Sequence, residues 1–332
     1  MNTERRASLV VGVGSALVDI LLAESEEFVS SLGHARGGMT LVDKSFQDSA
    51  LGRSNYRPEF VPGGSACNTI VGIGRLGGKT RFVGKCGNDP LGRQLRQGLV
   101  AAGVEPLLTI GDTPTGSVLS VVTPDAERTM FTYLGASAEM EPGEVTTQVL
   151  EGATIVHVEG YLLFNRDLMM AVISSAQAVG AKVSLDLASY TVVEANLAFL
   201  TNEIIPAVDI LLANEAEARA YTGHDDDLAA LKSLAKQTST VAVKLGDKGA
   251  VVAMDGSTEA VPIAGSEGIL DTTGAGDLWA SGFLYGLSQE WPLERAGALA
   301  AACAYEVCRV LGAQVPVERW QEVRSQHGVE SE

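Results

Sequence analysis

Short apolar runs alternate with longer amphipathic ones from residue 154 to residue 244, and this alternation limits the fold more than any other feature. Strands are expected over 154–158, 182–187, 209–213 and 240–244, and helices over 166–179, 192–204, 215–221 and 228–237. Repeated strand–helix units give a mainly parallel sheet with helices on both faces. The first half continues the pattern, with strands at 8–13 and 81–83 and helices at 65–76 and 91–102. Near the end, 250–254 and 258–263 read as antiparallel strands, and an Ala-rich helix covers 293–311. Two β-rich stretches, about 16–60 and 112–137, break the alternation. They are expected to form a small appended β-sheet on a single α/β domain spanning 1–332. Within them, 24–32 reads as a short helix, 36–43 as turn and strand, and 48–58 as a polar loop. Pro124-Asp125-Ala126-Glu127-Arg128 reads as the link of a hairpin between 117–123 and 129–134.

A hydrophobic fraction of 46% with 20% charged residues indicates a folded globular chain. The net charge of -17, with no Lys/Arg block, argues against a nucleic-acid polymer as partner. A single nucleotide needs only one anion seat and stays open. Cys67, Cys86, Cys303 and Cys308 form no CxxC pair and suggest reduced thiols in a cytoplasmic protein. Arg5 and Arg6 precede an apolar run, but Asp19 interrupts it, so a first strand is expected there and not a leader peptide. No stretch is apolar and long enough to span a membrane.

The segment Asp271 to Asp277, DTTGAGD, runs into LWASGFLYGL, where Leu278, Trp279, Phe283 and Leu287 have the spacing of a buried helix face. Gly268-Ile269-Leu270 before it reads as a strand end. Glycines at a helix N-terminus expose backbone N–H groups and a partial positive charge, which suits an anion. Asp277 falls in the first turn, where a carboxylate can take a proton beside a bound phosphate or simply complement the helix dipole. Two other glycine patterns are decoys. GxGxxG at 72–77 lies inside a helix, where it suits close packing, and Gly78-Lys79-Thr80 lacks the first glycine of a P-loop.

Asp19 follows the first strand, on the side where open parallel sheets bind ligands. It and Asn68, which follows the expected turn Gly63-Gly64 and its expected N-cap Ser65, can hydrogen-bond a polyol. Asn214 and Glu217 have the spacing of a capping box, and of a water-mediated Mg²⁺ site. Lys244 to Gly249 reads as strand then tight turn. His157 reads as a satisfied core imidazole.

Taken together, these motifs resemble the ribokinase/PfkB family of carbohydrate and nucleoside kinases. PGGSACNT and VGKCGNDPLG within 61–92 are similar to its first signature, DTTGAGDLWASGFLYG to its second, and NEAE to its NxxE. GSALVDIL, Met39-Thr40-Leu41, Glu127-Arg128-Thr129 and VDILLANEAEA are similar to the adenosine-kinase branch. The resemblance implies a ribokinase-like α/β fold whose appended sheet is a lid over the acceptor. It implies Asp277 as base and Gly274, Ala275 and Gly276 as anion hole, with Arg128 approaching the phosphates. It implies Asp19, Gly63, Gly64 and Asn68 on the acceptor's sugar hydroxyls. Asn214, Lys244, Gly246 and Gly249 fall to ATP, Glu217 to Mg²⁺, and Asp271 and Thr273 to a monovalent cation such as K⁺. Leu17, Leu41 and Tyr161 stand where that branch contacts its base. The implied reaction is ATP-dependent phosphorylation of a ribosyl or sugar hydroxyl, adenosine foremost, by a monomer or lid-mediated homodimer. A free-sugar kinase and a non-catalytic nucleotide- or sugar-binding regulator are the alternatives.

Overall fold

The computed structural model describes residues 8–125 and 127–329; Arg5, Arg6, Ala126 of the expected hairpin link, and 330–332 lie outside them. In the first half the order is β1 (Leu9–Val13), β2 (Leu17–Ala23), α1 (Glu26–Ser31), β3 (Gly38–Leu41), α2 (Lys44–Arg53), β4 (Glu59–Gly63), α3 (Ser65–Arg75), β5 (Lys79–Gly87), α4 (Pro90–Ala101), β6 (Val104–Gly111), β7 (Gly116–Val122) and β8 (Arg128–Tyr133). The repeating units follow: β9 (Ala153–Glu159), α5 (Arg166–Ala178), β10 (Lys182–Asp186), α6 (Tyr190–Phe199), β11 (Ile210–Asn214), α7 (Glu215–Thr222), α8 (Asp227–Leu234) and β12 (Thr240–Lys244). The chain then forms β13 (Ala250–Met254), β14 (Ser257–Val261), α9 (Ala275–Ser288), α10 (Leu293–Cys308) and α11 (Val317–His327).

Nine strands build a large sheet in the order β14-β13-β12-β11-β10-β9-β1-β5-β6. It is parallel from β12 to β6 and antiparallel at β13 and β14. Buried side chains alternate between its faces, as the two-residue period of a strand requires. Val10 of β1 joins the layer under α3, α9 and α10, while Leu9, Val11 and Val13 join the layer under α5 and α6. The mainly parallel sheet with helices on both faces expected from the alternation is the one observed, as the ribokinase-like fold implied by the resemblance also requires.

The two β-rich stretches form a second sheet, in the order β3-β8-β7-β2-β4. Ile20, Leu22, Leu119, Val121 and Phe131 on one face pack with Val29 of α1 and Ala50 of α2. Leu17, Asp19, Val118, Ser120, Met130 and Thr132, one residue out of phase with them, face the cavity described below. Gln47 of α2 is fully buried and satisfied, donating to the carbonyls of Ser117 (3.0 Å) and Phe131 (2.8 Å) and accepting from the Ser117 hydroxyl (2.6 Å).

Local expectations fail at several points. α2 occupies part of the span expected as loop: Asp43 caps it, accepting from Phe46 N at 2.7 Å, and its polar composition hides a helix that buries only Gln47 and Ala50. β5 runs to Gly87, and β6 and α11 lie where no element was expected. α6 gives way to a π-helical turn at Leu200–Ile204, and α10 ends at Cys308. Residues 268–270 are not strand, and Ile269 and Leu270 are exposed. Gly63 ends β4 and is paired with Leu17, so no turn forms there. Gly64, at φ +98°, precedes α3, and Ser65 is the first helical residue instead of its cap. A side chain at Gly64 would run into the Ser15 carbonyl.

Candidate active site

The carboxyl ends of four neighbouring parallel strands deliver Glu159, Asp186, Asn214 and Lys244 to one edge of the large sheet. Above them a cavity of about 1740 Å³ is closed on its far side by the second sheet. Ser65 and Asn68 of α3, and Thr273, Ala275, Gly276 and Asp277 at the start of α9, complete its floor.

Asp277 stands in the first turn of α9. One carboxylate oxygen accepts from the Ser65 hydroxyl at 2.8 Å and the other from Asn68 Nδ2 at 3.0 Å. Burial pushes its pKa up to about 6 in spite of these two donors. Gly274, at φ +74°, turns the chain into the helix. The Ala275 N–H turns back to the Thr272 carbonyl at 3.1 Å. Among the described residues nothing accepts from the N–H groups of Gly276 or Asp277, so these are the open donors at this helix end. Lys244 lies beside them: a methyl group on Gly276 would be 3.2 Å from its Nζ. Lys244 is paired with Asp186 at 2.6 Å. Burial works against its charge, yet Asp186 and Glu217 hold its pKa above the ordinary value.

Asn214 and Glu217 form the expected capping box: Glu217 N donates to Asn214 Oδ1 (2.9 Å), and Asn214 N and Nδ2 donate to the Glu217 carboxylate (2.8 and 2.7 Å). Burial, reinforced by Asp186, pushes the Glu217 pKa up to about 7. Asp19, on β2, is buried, and its pKa is likewise pushed up to about 7, chiefly by burial, with Arg128 opposing and Asp277 adding. Gly63 does not line the cavity; it makes room for Asp19, whose Cγ would be 2.5 Å from a Gly63 methyl.

Arg128, at the start of β8, borders the cavity and reaches Asp271 at 2.5 Å. Asp271 stands outside the cavity wall and also accepts from the N–H groups of Thr273 (3.0 Å) and Gly312 (2.8 Å). Gly274 likewise stands behind that wall, whereas Gly64, Gly246 and Gly249 line it. Leu17, Leu41 and Tyr161 line one cavity with Met39, Met130 and Met140. Leu17 is buried, while Leu41 is 61% and Tyr161 38% exposed, leaving apolar surface open to a ligand.

The profile of the pfkB family of carbohydrate kinases matches residues 26–320. The chain belongs to this family. As a pfkB kinase it is a phosphotransferase for a sugar or nucleoside, and the family implies ATP, typically with Mg²⁺. A probable sugar kinase from Rhizobium etli is 31% identical to it, covering 98% of this chain and 100% of its own, with a TM-score of 0.89. The adenosine kinase of Sinorhizobium meliloti is also 31% identical, over 96% of this chain and 99% of its own, with a TM-score of 0.87. The 5-dehydro-2-deoxygluconokinase of Geobacillus thermodenitrificans is 27% identical over 73% of this chain and 77% of its own.

Two cavity residues of this pfkB kinase escaped the sequence reading. Glu159 is fully buried and accepts from Ser15 N (2.9 Å), Ser15 Oγ (2.6 Å) and Ala66 N (3.0 Å). It ties the β1–β2 connection to α3. Asp186 is the partner of Lys244. Both end a parallel strand, and the rule that drew attention to Asp19 would have found them. His157 is fully buried and its Nδ1 is 3.1 Å from Ser184 Oγ, but its Nε2 has no partner among the described residues, so it is only half satisfied there. Gly72 of the decoy glycine pattern packs against α9, where a methyl group would be 2.6 Å from Ser281 Cβ.

Proposed function

We propose that this kinase transfers a phosphoryl group from ATP to a ribosyl hydroxyl of a nucleoside, adenosine foremost. The observation that carries this reading is the apolar wall of Leu17, Met39, Leu41, Met130 and Tyr161 in the same cavity as Asp19, Asn68 and Asp277. A free sugar needs hydrogen-bonding groups alone, whereas a purine needs a flat apolar slot beside them.

In this reading Asp277 takes the proton of the acceptor hydroxyl. The Gly274–Ala275–Gly276 turn aims the helix end at the transferring phosphoryl group. Asp19, Gly64 and Asn68 hold the ribose hydroxyls, and Gly63 keeps Asp19 in place. Lys244, Asn214, Gly246 and Gly249 line the nucleotide side. Phosphoryl transfer of this kind depends on positioning and charge stabilisation more than on covalent chemistry. The residues fit a polyphosphate: Arg128 borders the cavity with a buried Nε that has no partner among the described residues. Among the described residues no cluster of three His, Cys, Asp or Glu is arranged to hold an ion. Mg²⁺, which would neutralise phosphate charge, would therefore be carried mainly by the nucleotide, with Glu217 acting through water. A monovalent cation would have to share Asp271 with Arg128; equal rates in K⁺, Na⁺ and a bulky organic cation would remove it.

The second sheet serves as the lid in this reading, keeping water from competing with the acceptor. α1 and α2 cover its outer face, which favours a monomer over a dimer paired through the lid.

ADP release with adenosine, ribose, fructose and a keto-deoxy sugar acid tests the assignment, and adenosine should give the highest kcat/KM. A free sugar far ahead of adenosine would overturn the purine slot and leave a sugar kinase. No turnover with any acceptor would favour a silent binder, against which an intact Asp277 argues. Tyr161→Ala should weaken adenosine binding by about 1–3 kcal/mol, the range for one lost base–aromatic stack, with the KM for ATP unchanged.

A further inference from the structure

We propose that Ser65 is a positioning residue for phosphoryl transfer, holding the Asp277 carboxylate through its hydroxyl as the partner of Asn68. The inference rests on Asp277 being the base. Ser65 has the residue type of a helix cap, but it stands one position past the cap residue Gly64, and its hydroxyl points across to α9. One turn further along, Asn68 donates to the other carboxylate oxygen, and Thr69 donates to the Asp277 backbone carbonyl at 3.1 Å. Gln314 Nε2 lies 3.5 Å from Asn68 Oδ1, which keeps the amide nitrogen turned toward Asp277. One helix thus grips both carboxylate oxygens and the backbone of one residue on another. Each oxygen keeps a lone pair for an acceptor hydroxyl.

The surroundings give the grip its purpose. Asp186 on β10 favours the protonated form of Asp277 by its charge, and Asp277 in turn raises the pKa values of Asp19 on β2 and Glu217 on α7; the Tyr161 hydroxyl after β9 and the Cys67 thiol on α3 are held neutral and add no charge. Lys244 on β12 opposes this protonation, and it already faces Asp186. Two neutral donors favour the carboxylate without adding a charge that would compete for the phosphates. A base must be deprotonated to act, so loss of a donor should appear in the pH profile before it appears in the fold.

The test compares Ser65→Ala and Ser65→Thr with wild type, using the best acceptor from the panel, as log kcat/KM and log kcat against pH from 5 to 9.5. Ser65→Ala should move the acid limb up by about 1 pH unit, as expected for losing one hydrogen bond to a charged group. Turnover should then drop about tenfold below neutrality and largely recover near pH 9, while Ser65→Thr, which keeps a hydroxyl, should follow wild type. An equal loss at every pH with an unmoved limb would mean a structural role and overturn the proposal. A raised acceptor KM with an unmoved limb would mean a direct acceptor contact and overturn it too. Should Ser65→Ala fail to fold, Ser65→Cys, close in shape and a weak donor, gives the same readout. Asp277→Asn is run alongside. If it retains turnover, the base assignment has failed; if it is inactive while the Ser65→Ala profile does not move, only the present inference has failed.

Discussion

Replacing Asp277 by Asn is expected to lower kcat about 10²- to 10⁴-fold while ATP is still bound, the range for loss of a general base. The substitution preserves shape and removes the carboxylate that Ser65 and Asn68 hold. It should also change stability in a pH-dependent way. The folded-state pKa of Asp277, about 6, lies above its ordinary value of 3.8. The folded state therefore binds the proton more tightly than the unfolded one. That stabilisation is complete below about pH 3.8 and is lost as the pH rises through about 6. At pH 8 the wild type carries a desolvated charge that the variant lacks. The difference in Tm, variant minus wild type, should thus be more positive at pH 8 than at pH 5. Near wild-type turnover would remove Asp277 from its role. A Tm difference that moves the other way would show that the carboxylate is stabilised, not strained, by its surroundings.

Gly274→Ala is expected to reduce kcat about 10²- to 10³-fold, comparable to losing a donor from an oxyanion hole. The position has φ +74° and ψ 0°, a conformation that costs an L-residue roughly 1–2 kcal/mol. The added methyl group would lie 2.7 Å from Ala313 Cβ, so the turn must move or Ala313 must give way. A moved turn misdirects the N–H groups of Gly276 and Asp277. The acceptor KM should change little, because Asp19 and Asn68 reside on other elements. Gly276→Ala is the informative control. It has no left-handed backbone to strain, and its methyl group would press toward Lys244 Nζ at 3.2 Å. It should weaken turnover by filling the anion seat, with little loss of Tm. Retention of more than half of kcat by Gly274→Ala would show that the turn does not aim the helix end.

The strand–helix repeats were legible because buried parallel strands are continuous apolar runs. The Asn214/Glu217 box and the packing role of Gly72 were legible because both are local. What escaped was set by distant partners or by weak patterning. α2 buries only Gln47 and Ala50, so it shows no apolar stripe. β6 is the last strand of its sheet, with Glu105, Thr109 and Ile110 exposed. Ser65 reads locally as a cap, a place that Gly64 takes, and the partner of its hydroxyl is 212 residues away. Arg128 and Asp271 were assigned separately to phosphate and cation, and their pairing spans 143 residues. Glu159 belongs to no motif; what distinguishes it is where its strand ends.

The close contact of α3 and α9 at Gly72 and Ser281 bears on how such a kinase diversifies. The two helices leave no space for a methyl group between them, so Asp277 and the side chains that grip it form one block. The apolar walls of the proposed acceptor slot lie largely elsewhere, at Leu17 on β2, Met39 and Leu41 on β3, and Met130 on β8. On the proposed function, substitutions in those strands would exchange one acceptor for another without realigning the proton transfer. Drift in acceptor preference is then mechanically separable from drift in chemistry. Such a separation suits a family in which kinases named for adenosine and for a keto-deoxy sugar acid stand at 31% and 27% identity to the same chain.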